Sequence, residues 1–292
     1  MTGPRRLSMF RNRPPAAADG RMSLVEHLFE LRTRLFRAAL AILVTSVVAY
    51  VFFDPIFNFL TGPYCALPAD KRGGGSQCQL YTFSVLGEFN VRIRVAILVG
   101  IVASAPVWLY QLWRFVTPGL HRHERRWTLS FVSIATVLFG VGTVLAYYTL
   151  TTGLSILLRI AGNRVDNLLD VNGYLGYVVA TLLIFGFSFE FPLLVVMLNM
   201  VGVVSHKKLA SWRRQMIFFL FVFAAIATPS QDPISLMFMA IPMVLLYEAA
   251  LVFTRIHDRN KGKRELEAGV GEIGDDEISQ IDERPSDLSD IS

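Results

Sequence analysis

The chain has 292 residues, of which 53% are hydrophobic and only 17% charged, with a mean hydropathy of +0.47; soluble domains run nearer a quarter charged, so this composition excludes a soluble globular protein and reads as an integral membrane protein. The net charge of +5 and pI near 9.4 do not imply nucleic acid, because the cations cluster at the ends of apolar runs rather than along one face. Two cysteines exclude a disulfide scaffold and a cysteine-based metal cluster, and leave one bridge that can form.

Residues 1–22 are rich in Arg, Pro and Ala and lack periodic apolar content, which predicts a disordered cytoplasmic arm. Ser23 precedes Glu26 at capping-box spacing and starts a helix. Leu24, Leu28, Leu31 and Leu35 then recur at three-to-four spacing, an amphipathic entry at the membrane surface. It leads into a first span over residues 35–53, closed by Asp54-Pro55. No cleavable signal peptide is expected, since this run is long enough to stay as a span. Residues 54–92 read as an outer loop with Gly73-Gly74-Gly75 as a flexible tip, ending in FSVLGEFNVRIRV, which can form a helix against the membrane. Cys65 and Cys78 both fall in this loop. On an oxidising side a bridge between them could contribute about 3 kcal/mol to ordering it; two unpaired thiols are the alternative.

Spans over residues 95–113 and 128–150 flank the strongly basic loop RFVTPGLHRHERRW, which the positive-inside rule puts on the cytoplasmic side. Residues 151–172 form a nearly neutral outer loop, and a fourth span covers 174–200. The basic SHKKLASWRR is again inside. A fifth span over 215–228 is short, below the 17–25 residues usual for a crossing, so the bilayer thins there or the helix lies against its neighbours. The outer turn Thr228-Pro229-Ser230-Gln231-Asp232-Pro233 leads to a sixth span over 234–253, then to a tail that is basic and becomes acidic after Glu265. The predicted fold is therefore all-α and polytopic: six transmembrane helices with both termini inside, residues 23–256 forming the membrane domain and 257–292 a disordered tail. Pro106, Pro192 and Pro242 each remove a helix hydrogen bond and predict kinked helices around a concave groove. No internal repeat of the secondary-transporter type is apparent.

Few residues can carry chemistry. Glu190 lies deep in the fourth span, where an acid costs about 2.5–3.5 kcal/mol near the helix centre; it is either a neutral structural side chain or a polar point in a groove used by a translocating substrate. Glu30 and Glu124 sit at the cytoplasmic surface. By spacing alone each reads as a local ion pair, Glu30 with Arg34 and Glu124 with Arg122, Arg125 or Arg126. The five histidines are scattered, and neither a metal motif nor a phosphate loop occurs.

Four segments in order, HLFELRTRL (27–35), SAPVWLYQLWRFVTPGLHRHERR (104–126), FGFSFEFP (185–192) and AIPMVLLYE (240–248), resemble the TatC family, the multispanning receptor subunit of the twin-arginine protein translocase. The similarity covers residues 22–256. It implies that Glu30 and Glu124 together bind the two arginines of an export signal peptide, with Arg32 orienting Glu30 and Phe115 receiving the apolar part of the signal. The carboxylate–guanidinium fork suits that task, since a lysine offers only a point charge. By the same resemblance Glu190 matches a buried acid of the concave face, Pro63 a proline of the outer loop and Asp232 an acid of the outer turn, although TPSQDP is one residue longer than the usual pattern. The implied function is binding of twin-arginine signal peptides on folded cargo and nucleation of proton-motive-force-driven export across the bacterial plasma membrane. The implied partners are TatA- and TatB-type single-span subunits, the lipid bilayer and further copies of the chain, with no nucleic acid, cofactor, metal or enzymatic activity. Arg5-Arg6-Leu7-Ser8-Met9-Phe10 superficially resembles such a signal, but the next apolar run is too distant and the pair reads as topology charge. The rival readings are an ion-coupled small-solute transporter using Glu190, which would want a repeat, and an intramembrane hydrolase, for which no nucleophile and base face one another.

Overall fold

The amphipathic entry and the first apolar run form one uninterrupted helix, α1 (Leu24–Val51), in a computed structural model that describes residues 24–68, 78, 80–116, 125–161, 169–230 and 232–267. The arm over 1–22, the triple-glycine tip, the loop carrying Glu124 and the acidic end of the tail lie outside those residues.

Asp54-Pro55 was expected to leave the helix behind. Instead the chain breaks only at Phe52 and restarts as α2 (Phe53–Cys65), with Asp54 in its first turn. Proline is tolerated there because its missing N–H has no intrahelical partner, and an acid at a helix N-terminus is favoured by the dipole. The first part of the predicted outer loop is thus helical. Pro63 lies inside α2 and cannot donate to the Phe59 carbonyl; the Tyr147 hydroxyl takes that carbonyl at 2.9 Å. Tyr174 donates to the next carbonyl, Leu60, at 2.7 Å.

α3 (Gly87–Ala103) and α4 (Ala105–Val116) are the two halves of the predicted second span, bent by 58° at Ser104. Pro106 sits in the first turn of α4, so the ladder cannot continue through it. The Trp108 indole N–H donates to the Ile101 carbonyl at 2.9 Å, replacing a partner lost at the break. α1 crosses α3 closely: Thr45 Oγ1 donates to the Gly100 carbonyl at 2.9 Å, and a Cβ on Gly100 would come within 2.0 Å of Ser46 Oγ.

α5 (Arg125–Ala161) runs well past residue 150, where the outer loop was expected to begin. α6 (Val171–Ser188) and α7 (Phe191–Met200) are one span broken at Phe189-Glu190, with Pro192 in the first turn of α7. The short α8 (His206–Ser211) leads into α9 (Arg213–Ala227), and α10 (Pro233–Glu267) keeps Pro242 within it and carries the helix beyond the predicted boundary at 256.

Among the described residues the protein is all-helical apart from one isolated parallel bridge, Tyr81 with Asp170. Four stretches are long and apolar enough to cross a membrane: His27–Val51, Leu129–Leu158, Val171–Met200 and Pro233–Lys263, with the bent α3–α4 pair a fifth if it counts as one broken span. At 15 residues α9 falls short of the length a full crossing takes.

Two polar clamps hold the ends. At one, Tyr81 N–H donates to Leu169 O at 3.2 Å and Val171 N–H to Tyr81 O at 2.8 Å, while a Cys65–Cys78 disulfide ties the loop to α2. At the other, Asp258 of α10 accepts from the His206 N–H at 2.8 Å and from Asn199 Nδ2 at 3.0 Å, pinning the α7–α8 connection.

Candidate functional site

The start of α1 and the end of α4 meet. The rings of His27 and Phe115 stack with centroids 4.5 Å apart and an interplanar angle of 21°. Glu30, one turn along α1, is half-buried. Arg34, a further turn on, donates Nε to Glu30 Oε1 at 3.1 Å and Nη2 to the same oxygen. Arg34 therefore orients Glu30 through Oε1 and does not engage Oε2. The resemblance gave that orienting role to Arg32, whose guanidinium instead lies 5.3 Å over the Phe29 ring. Residues four apart on a helix share a face and residues two apart do not, which is why Arg34 is the residue that reaches Glu30 here.

α5 packs antiparallel beside α4, with Trp113 against Phe131 at 6.0 Å and Trp108 edge-on to Phe139 at 5.3 Å. The first residue of α5, Arg125, thus lies toward the end of α4 that carries Phe115. Glu124 precedes Arg125 by one peptide bond and is outside the described residues.

Glu190 opens onto an apolar cavity of about 590 Å³ bounded by α4, α6, α7, α9 and α10. Leu112, Phe187, Phe191, Phe219, Leu220 and Met243 supply much of its wall. Neither carboxylate oxygen of Glu190 has a hydrogen bond of ordinary geometry; the polar side chain that interacts with it is Trp113, from α4. The concave groove expected from the kinking prolines is present. It lies at the Phe189-Glu190 break, beside Pro192, with Phe191 of α7 facing Phe219 of α9 across a ring-centroid distance of 6.4 Å.

The remaining predicted positions gather at the disulfide-bearing end. Pro63 is buried in α2, and the Tyr147 contact described above explains its value there. Asp232 is 4% exposed and caps α10, accepting from Ser235 N–H at 2.7 Å and Ile234 N–H at 3.1 Å. Burial pushes its carboxyl up, but the Ser230 and Ser235 hydroxyls and those two backbone N–H groups outweigh burial and hold it below the ordinary carboxylate range. The extra residue in TPSQDP does not prevent the cap.

Sequence reasoning missed His27 and Trp113 as site neighbours, and no local signal could have found them, since each contact joins helices distant in the chain. Arg34 was visible as the i,i+4 partner of Glu30. Among the described residues no group of three or more His, Cys, Asp or Glu side chains is placed to hold a metal ion.

Known proteins resemble this chain in sequence and fold. The profile of the family described as Sec-independent protein translocase protein (TatC) matches residues 26–242. The chain is similar to the Sec-independent protein translocase protein TatC of Frankia casuarinae, 50% identical over 286 residues that cover 96% of this chain and 79% of the relative. It is also similar to the TatC of Corynebacterium kroppenstedtii, 42% identical over 290 residues, covering 92% and 70% respectively. Among solved structures, a crystal structure of the twin arginine translocase receptor TatC in DDM superposes with a TM-score of 0.62 at 31% identity, over 78% of this chain and 99% of that one.

Proposed function

Since this chain belongs to the TatC family of Sec-independent protein translocase proteins, we propose that it binds the twin-arginine signal peptide of folded precursor proteins and nucleates their proton-motive-force-driven export across the plasma membrane. It is a translocase component with several membrane-spanning helices, and its family is not one of enzymes. In this reading Glu30 and Glu124 grip the two guanidinium groups at the cytoplasmic face. Phe115 receives the adjoining apolar residues, and the hydrophobic part of the signal then passes into the groove containing Glu190.

The observation that carries the reading is the His27–Phe115 stack. It brings the ELR helix against the end of α4, which the loop carrying Glu124 follows in sequence; in this reading two acids far apart along the chain serve one short peptide. The pairing of Arg34 with Oε1 alone supports it too, because a carboxylate held at one oxygen presents the other to an incoming guanidinium. Charge-assisted hydrogen bonds contribute about 1.5–3 kcal/mol each. Two of them suffice to reject a signal lacking the pair.

The same reading has six spans with both termini in the cytoplasm. The basic segments then lie inside, α9 makes a thinned or partial crossing, and the Cys65–Cys78 bridge faces an oxidising compartment. It assigns TatA- and TatB-type single-span subunits as partners, together with other copies of the chain in the receptor complex.

Photocrosslinking from the paired arginines of a signal peptide to the purified protein tests the proposal. Labelling should be strong for Arg-Arg, weak for Lys-Lys, and lost in the Glu30→Ala, Glu124→Ala double variant. Equal labelling by both peptides, or labelling unchanged in the double variant, would overturn it.

A further inference from the structure

A second apolar furrow, of about 220 Å³, runs between α3 and α6. Its walls are Ile97, Leu98 and Ile101 on α3 and Gly176, Val179 and Leu183 on α6, spacings of three and four that keep one face of each helix turned to it. Arg94 stands at its mouth, exposed, toward the disulfide-bearing end, where α6 begins. Its Nη1 donates to the Asn172 carbonyl at 3.2 Å. A Cβ on Gly176 would lie 3.5 Å from the same nitrogen, so the guanidinium rests against the bare backbone of α6.

That contact fixes the arginine and leaves its other N–H groups to find partners. Among the described residues the ion pairs are Glu30–Arg34, Glu88–Arg92 and Arg213–Glu248, so no described carboxylate neutralises Arg94. An arginine on a membrane helix near the bundle's end reaches the headgroup level and is favoured by a counter-charge there. An arginine fork matches a phosphate bidentately.

We propose that this furrow binds a phospholipid of the leaflet on the disulfide-bearing side, with the headgroup phosphate held by Arg94 and one acyl chain lying along Ile97, Ile101, Val179 and Leu183. A lipid rather than free phosphate is the occupant because the space beneath the cation is apolar and extends two helical turns into the membrane. Leu183 also lines the Glu190 groove, so the acyl chain backs the wall of that groove.

Native mass spectrometry of the full-length protein in detergent, titrated with dioleoylphosphatidylglycerol, should give a saturable single-lipid adduct. Arg94→Gln should weaken it about tenfold, the loss of a charge-assisted hydrogen bond, with Arg94→Lys intermediate. Gly176→Leu, which fills the furrow and keeps the cation, should also weaken it. Arg92→Gln should leave it unchanged, because that guanidinium pairs with Glu88 and lies over Phe53. Neither dioleoylglycerol nor inorganic phosphate should compete. A wild-type melting temperature in lipid-free detergent certifies that each variant is folded. Adducts of equal strength in wild type and Arg94→Gln, or displacement of the lipid by inorganic phosphate, would refute the site.

Discussion

Replacing Glu190 by leucine should make this protein more stable and less active. The carboxylate faces an apolar cavity, and neither oxygen has a hydrogen bond of ordinary geometry. An acid near the centre of a membrane helix costs about 2.5–3.5 kcal/mol. The Trp113 indole interacts with the carboxylate without a hydrogen bond of ordinary geometry and so returns at most about 1.5 kcal/mol. Glu190→Leu should therefore stabilise by roughly 1–2 kcal/mol, and at about 2–4 °C per kcal/mol the melting temperature should rise by several degrees. Glu190→Gln keeps the shape and an acceptor for Trp113, so its rise should be smaller. Thermal unfolding of the detergent-solubilised protein, followed by tryptophan fluorescence, reads the stability. Export of a twin-arginine reporter by the same variants reads the activity, and both substitutions should impair it. If Glu190→Leu melts below the wild type, the carboxylate is a structural member of the helix break and the groove argument fails.

Asp232→Ala should destabilise by about 1–2 kcal/mol through loss of the α10 cap, measurable by the same melt, while Asp232→Asn should lose less. Because the folded carboxyl is held below its ordinary value near 3.9, its contribution is present above pH 4 and is lost as pH falls through the folded value; melts from pH 6 to pH 3 should show that acid loss in the wild type and not in Asp232→Asn. Reduction of the Cys65–Cys78 bridge, or Cys65→Ser with Cys78→Ser, should cost about 3 kcal/mol by the loop-closure argument and raise proteolytic sensitivity between α2 and α3; resistance equal to the oxidised protein would contradict it. Asp258→Ala orphans the His206 N–H and Asn199 Nδ2, so hydrogen exchange at the α7–α8 connection should accelerate by at least tenfold, the equivalent of about 1.4 kcal/mol, with exchange in α5 unchanged.

The helical class and the positions of the long spans were legible because hydropathy over some twenty residues depends on the bilayer, not on the neighbouring helices. The four motif segments likewise led to the family to which the chain belongs. Helix ends were less legible. Asp54-Pro55 reads as a stop, yet a proline in the first turn is as good a start, and α2 is the result. α5 and α10 overrun their predicted ends: in α5 the apolar run itself continues to Leu158, and in α10 polar residues beyond the span remain helical.

Sequence by itself determined that the chain is an all-helical membrane protein, that Pro106 and Pro192 would fall at helix breaks, and that Glu30 would meet Arg34, all consequences of local spacing or of the solvent the chain must match. Tertiary structure alone decided that Trp113 stands at Glu190, that His27 stacks on Phe115, that Tyr147 satisfies the carbonyl freed by Pro63, and that Arg94 heads an apolar furrow. Those contacts join residues on different helices, and their geometry is set by how the bundle packs, which no periodicity within one helix encodes.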